Sequence, residues 1–145
     1  MRIERSVAIR RSRNTVFDFV TDPGNFKQWT GLEAVRRSEG AAGVGMVETH
    51  ISTFLGKRFE VPHEIVVYEP GERVEYTVSK PFPARGQILF KDEAGGTRVI
   101  MRSEGEPRGA YRVLVFFLLP ITTKRLERNL SRLKAVLEEP ESGYV

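Results

Sequence analysis

The chain has 145 residues, 40% of them hydrophobic and 29% charged, which fits one domain, residues 1 to 145, with a core of its own and excludes wholesale disorder. Its formal net charge of +4 comes without a single cysteine, so disulfides, a thiolate nucleophile and cysteine-ligated zinc or iron–sulfur sites are excluded as well. The opening MRIERSVAIRRSRN lacks the apolar core of a signal peptide, and the longest apolar run, Val113 to Ile121, falls far short of the roughly 20 residues that span a bilayer, so a cytoplasmic protein is expected.

Ile3, Val7 and Ile9 alternate with charged and small residues and predict a first strand with one buried face. Ser12 can cap a helix over RNTVFDFVTD, where Val16, Phe19 and Val20 fall on one side. Asp22-Pro23 predicts a second short helix, an acidic cap followed by proline at a position where its missing N–H does no harm. Phe26 and Trp29, three apart, share its inner face.

From Glu33 to Gly105 the period changes to two, broken by GAAGVG, FLGK, EPGE, KPFP and EAGG. This predicts an antiparallel meander with strands over roughly residues 33 to 39, 44 to 53, 58 to 68, 73 to 80, 84 to 92 and 97 to 105. Phe59, Val61, His63, Ile65 and Val67 share one face, as do Val74, Tyr76 and Val78, then Gly86, Ile88 and Phe90, then Val99, Met101 and Ser103. The opposite faces are charged, so the sheet is wet on one side, and Arg85 falls on that side. The FLGK turn leaves two registers open. A two-residue Leu55-Gly56 loop sets Glu48 opposite His63 with His50 nearby, whereas a three-residue loop sets Thr49 there and turns Val47 and Ile51 inward; the hydrophobic pattern favours the second.

A one-faced sheet needs a cover, and the only element long enough is the terminal helix, where Leu126, Leu130, Leu133 and Leu137 form a stripe. Pro120 interrupts its hydrogen bonding, so the apolar half before it is expected to bend, form its own short helix or begin the long one. Phe116 and Phe117 are adjacent and point about 100 degrees apart. One is therefore expected towards the interior, the other at a pocket rim, a dimer contact or lipid. Arg102, Arg108, Arg112, Lys124, Arg125, Arg128, Arg132 and Lys134 far outnumber the nearby acids, a stripe that could meet phosphates or anionic lipid, although a solvated helix face explains it more simply. The closing EPESGYV reads as a frayed tail.

The words SRNTVFDFVTDPGNFKQW, the glycines Gly43 to Gly45 before a strand, HEIVVYEPGERVEY, GGTRV and LSRLKAVLEE follow in an order that resembles the START-like (SRPBCC) superfamily in its polyketide cyclase/dehydrase branch. The resemblance covers nearly the whole chain. It implies an α+β helix-grip fold: a curved seven-stranded antiparallel sheet, two short helices and a long C-terminal helix, with a cavity for a hydrophobic or amphipathic small molecule. It also implies a tryptophan, here Trp29, that closes the sheet end. The family is functionally diverse, so the fold does not choose among its activities.

His63 is in phase with the apolar inner face and could orient a ligand hydroxyl or act as general acid or base; a core histidine bonded to a neighbour is the plainer reading. Tyr76 and Trp29 each combine an apolar body with one polar handle. The expected lining is Trp29, Phe59, His63, Tyr76, Phe90, Met101 and Phe117, with His63 and Tyr76 the candidate catalytic pair. Two histidines 13 apart, without cysteine or an HExxH pattern, do not make a metal site. The glycine-rich stretch from Gly40 to Gly45 leads into a strand and so is a turn, not a phosphate loop, and no serine stands in a nucleophile elbow. No cofactor and no specific nucleic acid are expected. The readings are a lipid-like or polyketide-like ligand binder, a metal-free cyclase or dehydratase, and a membrane- or protein-interaction module that uses VLVFFLLPI, with a homodimer left open.

Overall fold

The computed structural model describes residues 1–139, and most of the EPESGYV tail lies outside them. The chain runs β1 (Arg2–Ile9), α1 (Arg13–Thr21), a 3-10 turn (Pro23–Asn25), α2 (Phe26–Trp29), β2 (Ala34–Arg37), β3 (Val47–Phe54), β4 (Lys57–Glu69), β5 (Arg73–Val78), β6 (Ala84–Glu93), β7 (Gly96–Gly105) and α3 (Ala110–Glu138). The strands form one antiparallel sheet in the order β1-β7-β6-β5-β4-β3-β2. Since β1 and β2 lie at opposite edges, the short helices between them have to cross the sheet's width. This is the helix-grip fold.

Local signals explain the crossing. The Ser12 hydroxyl accepts the Thr15 N–H, and the Asp22 carboxylate accepts the Gly24 N–H at 2.9 Å, so both helical starts carry their caps. Phe17, Phe19, Phe26 and Trp29 are buried beneath them. In α3, Leu130, Leu133 and Leu137 are buried and Leu126 is half-buried, so the leucine stripe does grip the core. The C-terminal half of α3 follows β1: Lys134 donates to the Ala8 carbonyl at 2.8 Å, and the Arg10 N–H donates to Glu138 at 2.9 Å. Pro120 stands inside a continuous helix. The GGTRV word has its own reason, because a Cβ on Gly96 would lie 2.0 Å from the Ile9 carbonyl oxygen, where β7 meets the end of β1.

Three expectations need correction. The β3–β4 hairpin turns on two residues, Leu55 at φ 53° and Gly56 at φ 76°, so Glu48 and not Thr49 stands opposite His63. Both positive angles match the twist of the strands, and that geometry overrides the hydrophobic pattern, which a paired, buried Glu48 disguises. Val47 is half-buried and Ile51 buried, but on the other face. Secondly, a bulge between Ile65 and Val67 places Val67 opposite Glu75, so it leaves the inner face and Tyr68 takes its place, edge-on to Phe17 at 5.7 Å. Thirdly, Phe116 and Phe117 are both exposed, at 74% and 68%, because Val115, Leu118 and Leu119 occupy the inward arc of that half of α3.

A leucine held at positive φ costs about 1 kcal/mol, and Leu55 is 90% exposed, so its side chain has little to lose. Leu55→Asn should therefore raise stability by about 0.5 to 1 kcal/mol in urea melts. No change, or a loss, would mean that Leu55 has a partner on the open side of the hairpin.

Candidate functional site

The two-residue turn sets the register that builds a polar cluster on the inner face. Cross-strand pairing aligns Arg37 with Glu48 and Glu48 with His63, and one step along aligns Val35 with His50. Tyr76 follows on β5, opposite Ile65, and beyond it on the same row come Gly86 and Ser103. A Cβ built on Gly86 meets only the Arg102 carbonyl oxygen, at 4.0 Å, so there is room for one more carbon beside Tyr76.

Glu48 is fully buried. Its Oε2 accepts from Arg37 Nε at 2.9 Å, with Nη2 at 2.8 Å, and the same guanidinium donates to the Thr21 carbonyl at 2.7 Å, at the end of α1. The other carboxylate oxygen, Oε1, lies 3.5 Å from His50 Nε2. That contact is too long to satisfy either atom: Glu48 Oε1, His50 Nε2 and Trp29 Nε1 are buried without a hydrogen-bond partner. No protein group satisfies these three atoms, so water or a ligand's polar group is their natural partner.

The rings lie close together. His50 stacks on His63 with centroids 3.9 Å apart and planes 22° apart, and Tyr76 stands edge-on to both, at 6.4 Å and 6.1 Å. Phe26, 6.0 Å from His50 and 6.2 Å from Trp29, joins the cluster to α2. His63 Nδ1 is 2.9 Å from the Val61 carbonyl oxygen. A carbonyl can only accept, so the neutral ring carries its hydrogen on Nδ1 and Nε2 keeps a lone pair.

Burial, and then the neighbouring His50, lower the His63 pKa to about 4. Burial pushes the Glu48 carboxyl up, but the approach of His50 and Arg37 outweighs it and holds the group below the usual carboxylate range. Burial and the Glu48 charge raise Tyr76 well above its ordinary value. At neutral pH the cluster is therefore an anion held by Arg37, beside a neutral His63 and a neutral phenol.

Of the residues expected from sequence, His63 and Tyr76 come together here, while Trp29 is buried one ring away, behind Phe26. Phe59 lies on the same face nearer the hairpin tip, 40% exposed, with the Lys57 ammonium 5.7 Å over its ring. Phe90 is buried against Phe17, edge-on at 5.1 Å, and so belongs to the core under α1 rather than to an open lining; Met101 is buried as well. Phe117 points away from the sheet. Glu48 and His50 join the cluster through the register that the hydrophobic pattern disfavours, and nothing in the pattern marks Arg37. The signal was the FLGK turn, where Gly56 permits two residues. A separate crevice of about 500 Å³, bounded by Arg10, Arg13, Asp92 and Gly96, lies at the β1–α1 turn, away from these groups.

A model of the family described as polyketide cyclase / dehydrase and lipid transport matches residues 1–138. No curated protein matches the chain. Among solved structures, Ara h 8.0201 superposes with a TM-score of 0.74 at 15% identity, covering 93% of this chain and 95% of that one. TTHA0849 from Thermus thermophilus gives 0.76 at 16% identity, with 93% and 95% covered. The di-domain ARO/CYC BexL from the BE-7585A biosynthetic pathway gives 0.75 at 16%, covering 93% of this chain and 49% of BexL. At such identities the likeness concerns the fold.

Proposed function

We infer what this protein does from the premise that its chain belongs to the polyketide cyclase/dehydrase and lipid transport family. It binds a hydrophobic or amphipathic small molecule on the inner face of the sheet, with a hydroxyl end at the Glu48–His50–His63–Tyr76 cluster and an apolar body over Gly86. The observation that carries this reading is the facing pair of buried, unpartnered atoms, Glu48 Oε1 and His50 Nε2. A ligand hydroxyl can donate to the first and accept from the second. His63 Nε2 offers a further acceptor.

A second reading is catalysis of the cyclase or dehydratase type, as in the ARO/CYC name carried by BexL. The Glu48–His50 pair favours it, since a carboxylate behind an imidazole orients a general base. His63 does not, because a base with a pKa of about 4 takes little part in proton transfer at neutral pH. Binding is therefore the reading the cluster supports better.

Trp29 is the only tryptophan, so energy transfer from it reports a dye bound nearby. With 1-anilinonaphthalene-8-sulfonate as probe, the wild type should show Trp29-sensitised emission. Gly86→Leu, which fills the space beside Tyr76, should weaken binding by about tenfold or more with the fold intact by circular dichroism. The exposed pair Phe116→Ser/Phe117→Ser should leave it unchanged. Equal affinity in wild type and Gly86→Leu would remove the inner face as the binding site.

A further inference from the structure

The first half of α3 carries apolar side chains on both sides. Its inward arc is Val115, Leu118 and Leu119, all half-buried, yet Val113, Phe116, Phe117 and Ile121 on the outward arc are exposed, at 61%, 74%, 68% and 50%. The Phe116 and Phe117 rings rest on each other, centroids 5.6 Å apart. Such a face is larger than the scattered apolar residues of an ordinary surface.

Its borders are basic. Arg108 and Arg112 precede it, Lys124, Arg125 and Arg128 follow, all exposed, and no acidic residue stands between Glu106 and Glu127. Lys124 and Arg128 fall at helical spacing on the same arc as Phe117 and Ile121. A second copy of the chain would meet this face badly, because a two-fold axis lays the patch on itself and sets Arg112 of one copy beside Lys124 of the other, or like upon like. An acidic surface meets it well. No helix among the described residues is long and apolar enough to cross a membrane, so such a segment would lie on the surface and not span it.

We propose that the outward face of α3 over residues 111–128 is a docking surface for an acidic phospholipid bilayer. Phe116, Phe117, Val113 and Ile121 enter the headgroup–acyl boundary, and Arg112, Lys124 and Arg128 face the phosphates. The surface lies outside the inner-face cluster, so docking stands independently of what that cluster binds.

The test is flotation of the whole protein with vesicles of phosphatidylcholine alone and of phosphatidylcholine with one-third phosphatidylglycerol. The wild type should float with the acidic vesicles and far less with the neutral ones, and added salt should weaken binding. Phe116→Ser/Phe117→Ser should bind at least about tenfold more weakly, since two rings lose their place in the lipid. Lys124→Glu/Arg128→Glu should weaken binding to acidic vesicles roughly tenfold, which keeps the test informative if the serine variant folds poorly. A wild type that stays in the soluble fraction, or one that binds as tightly in both variants, overturns the proposal. So does a wild-type dimer by sedimentation velocity that the serine pair dissociates, which would assign the face to a second copy.

Discussion

Arg37→Ala should cost about 3 kcal/mol of folding stability at neutral pH, the lower end of the roughly 3–5 kcal/mol seen when one partner of a buried ion pair is removed. The lower end applies because Arg37 is a quarter exposed and its loss lets water approach Glu48, which is itself 1% exposed at the side chain. Two effects add. The carboxylate loses its charge partner, and the Thr21 carbonyl at the C-terminus of α1 loses a cationic donor. The double variant Arg37→Ala/Glu48→Gln should recover part of the loss, since a buried amide carries no charge to desolvate. Urea melts of the three proteins decide it. A loss below about 1 kcal/mol for Arg37→Ala would mean that the pair is solvated and that the inner face is wetter than its burial indicates.

The second large effect concerns pH. His63 has a folded pKa of about 4 against about 6.5 in an unfolded chain. Below pH 6.5 the unfolded state takes up a proton that the folded state refuses, so the contribution of neutral His63 is full above pH 6.5 and falls as the pH drops towards 4. The shift corresponds to about 2–3 kcal/mol once solvent screening is allowed for. Glu48, whose carboxyl is lowered, contributes in a different window: its share is present above the ordinary carboxylate pKa and is lost as the pH falls through its depressed value. Thermal melts between pH 7 and pH 4 should therefore slope downwards in the wild type and flatten in His63→Gln. Parallel profiles for the two proteins in that interval would show that His63 titrates as in open solvent.

The elements were legible because the signals behind them are local. Ser12, Asp22-Pro23 and the leucine stripe each state a helix boundary or face in a few residues, and the alternation from Glu33 to Gly105 states the meander. The site was legible only in part, because it depends on register. Whether Glu48 or Thr49 faces His63 turns on one residue in a loop, and hydrophobicity argued for the wrong one: a glutamate reads as solvent-facing unless its partner is known. That partner, Arg37, sits eleven residues away on a short edge strand. The bulge at Ile65/Val67 was equally silent, since nothing in EIVVYE says which residue is the extra one. The exposure of Phe116 and Phe117 has another origin. Adjacent rings on a helix read as one in and one out, and this helix covers neither.

The edge position of β1 also sets the order of assembly. Strands β3 to β7 join by hairpins between neighbours in sequence and can pair as soon as they are made. β1 cannot: Arg2 stands opposite Glu104, and its far end is held by Lys134 and Glu138, with sequence separations of 126 and 128 residues. Loop-closure entropy makes such pairings late events. During synthesis β1 would leave the ribosome well before the partners that hold it, waiting unpaired until β7 and the last turns of α3 have followed it out.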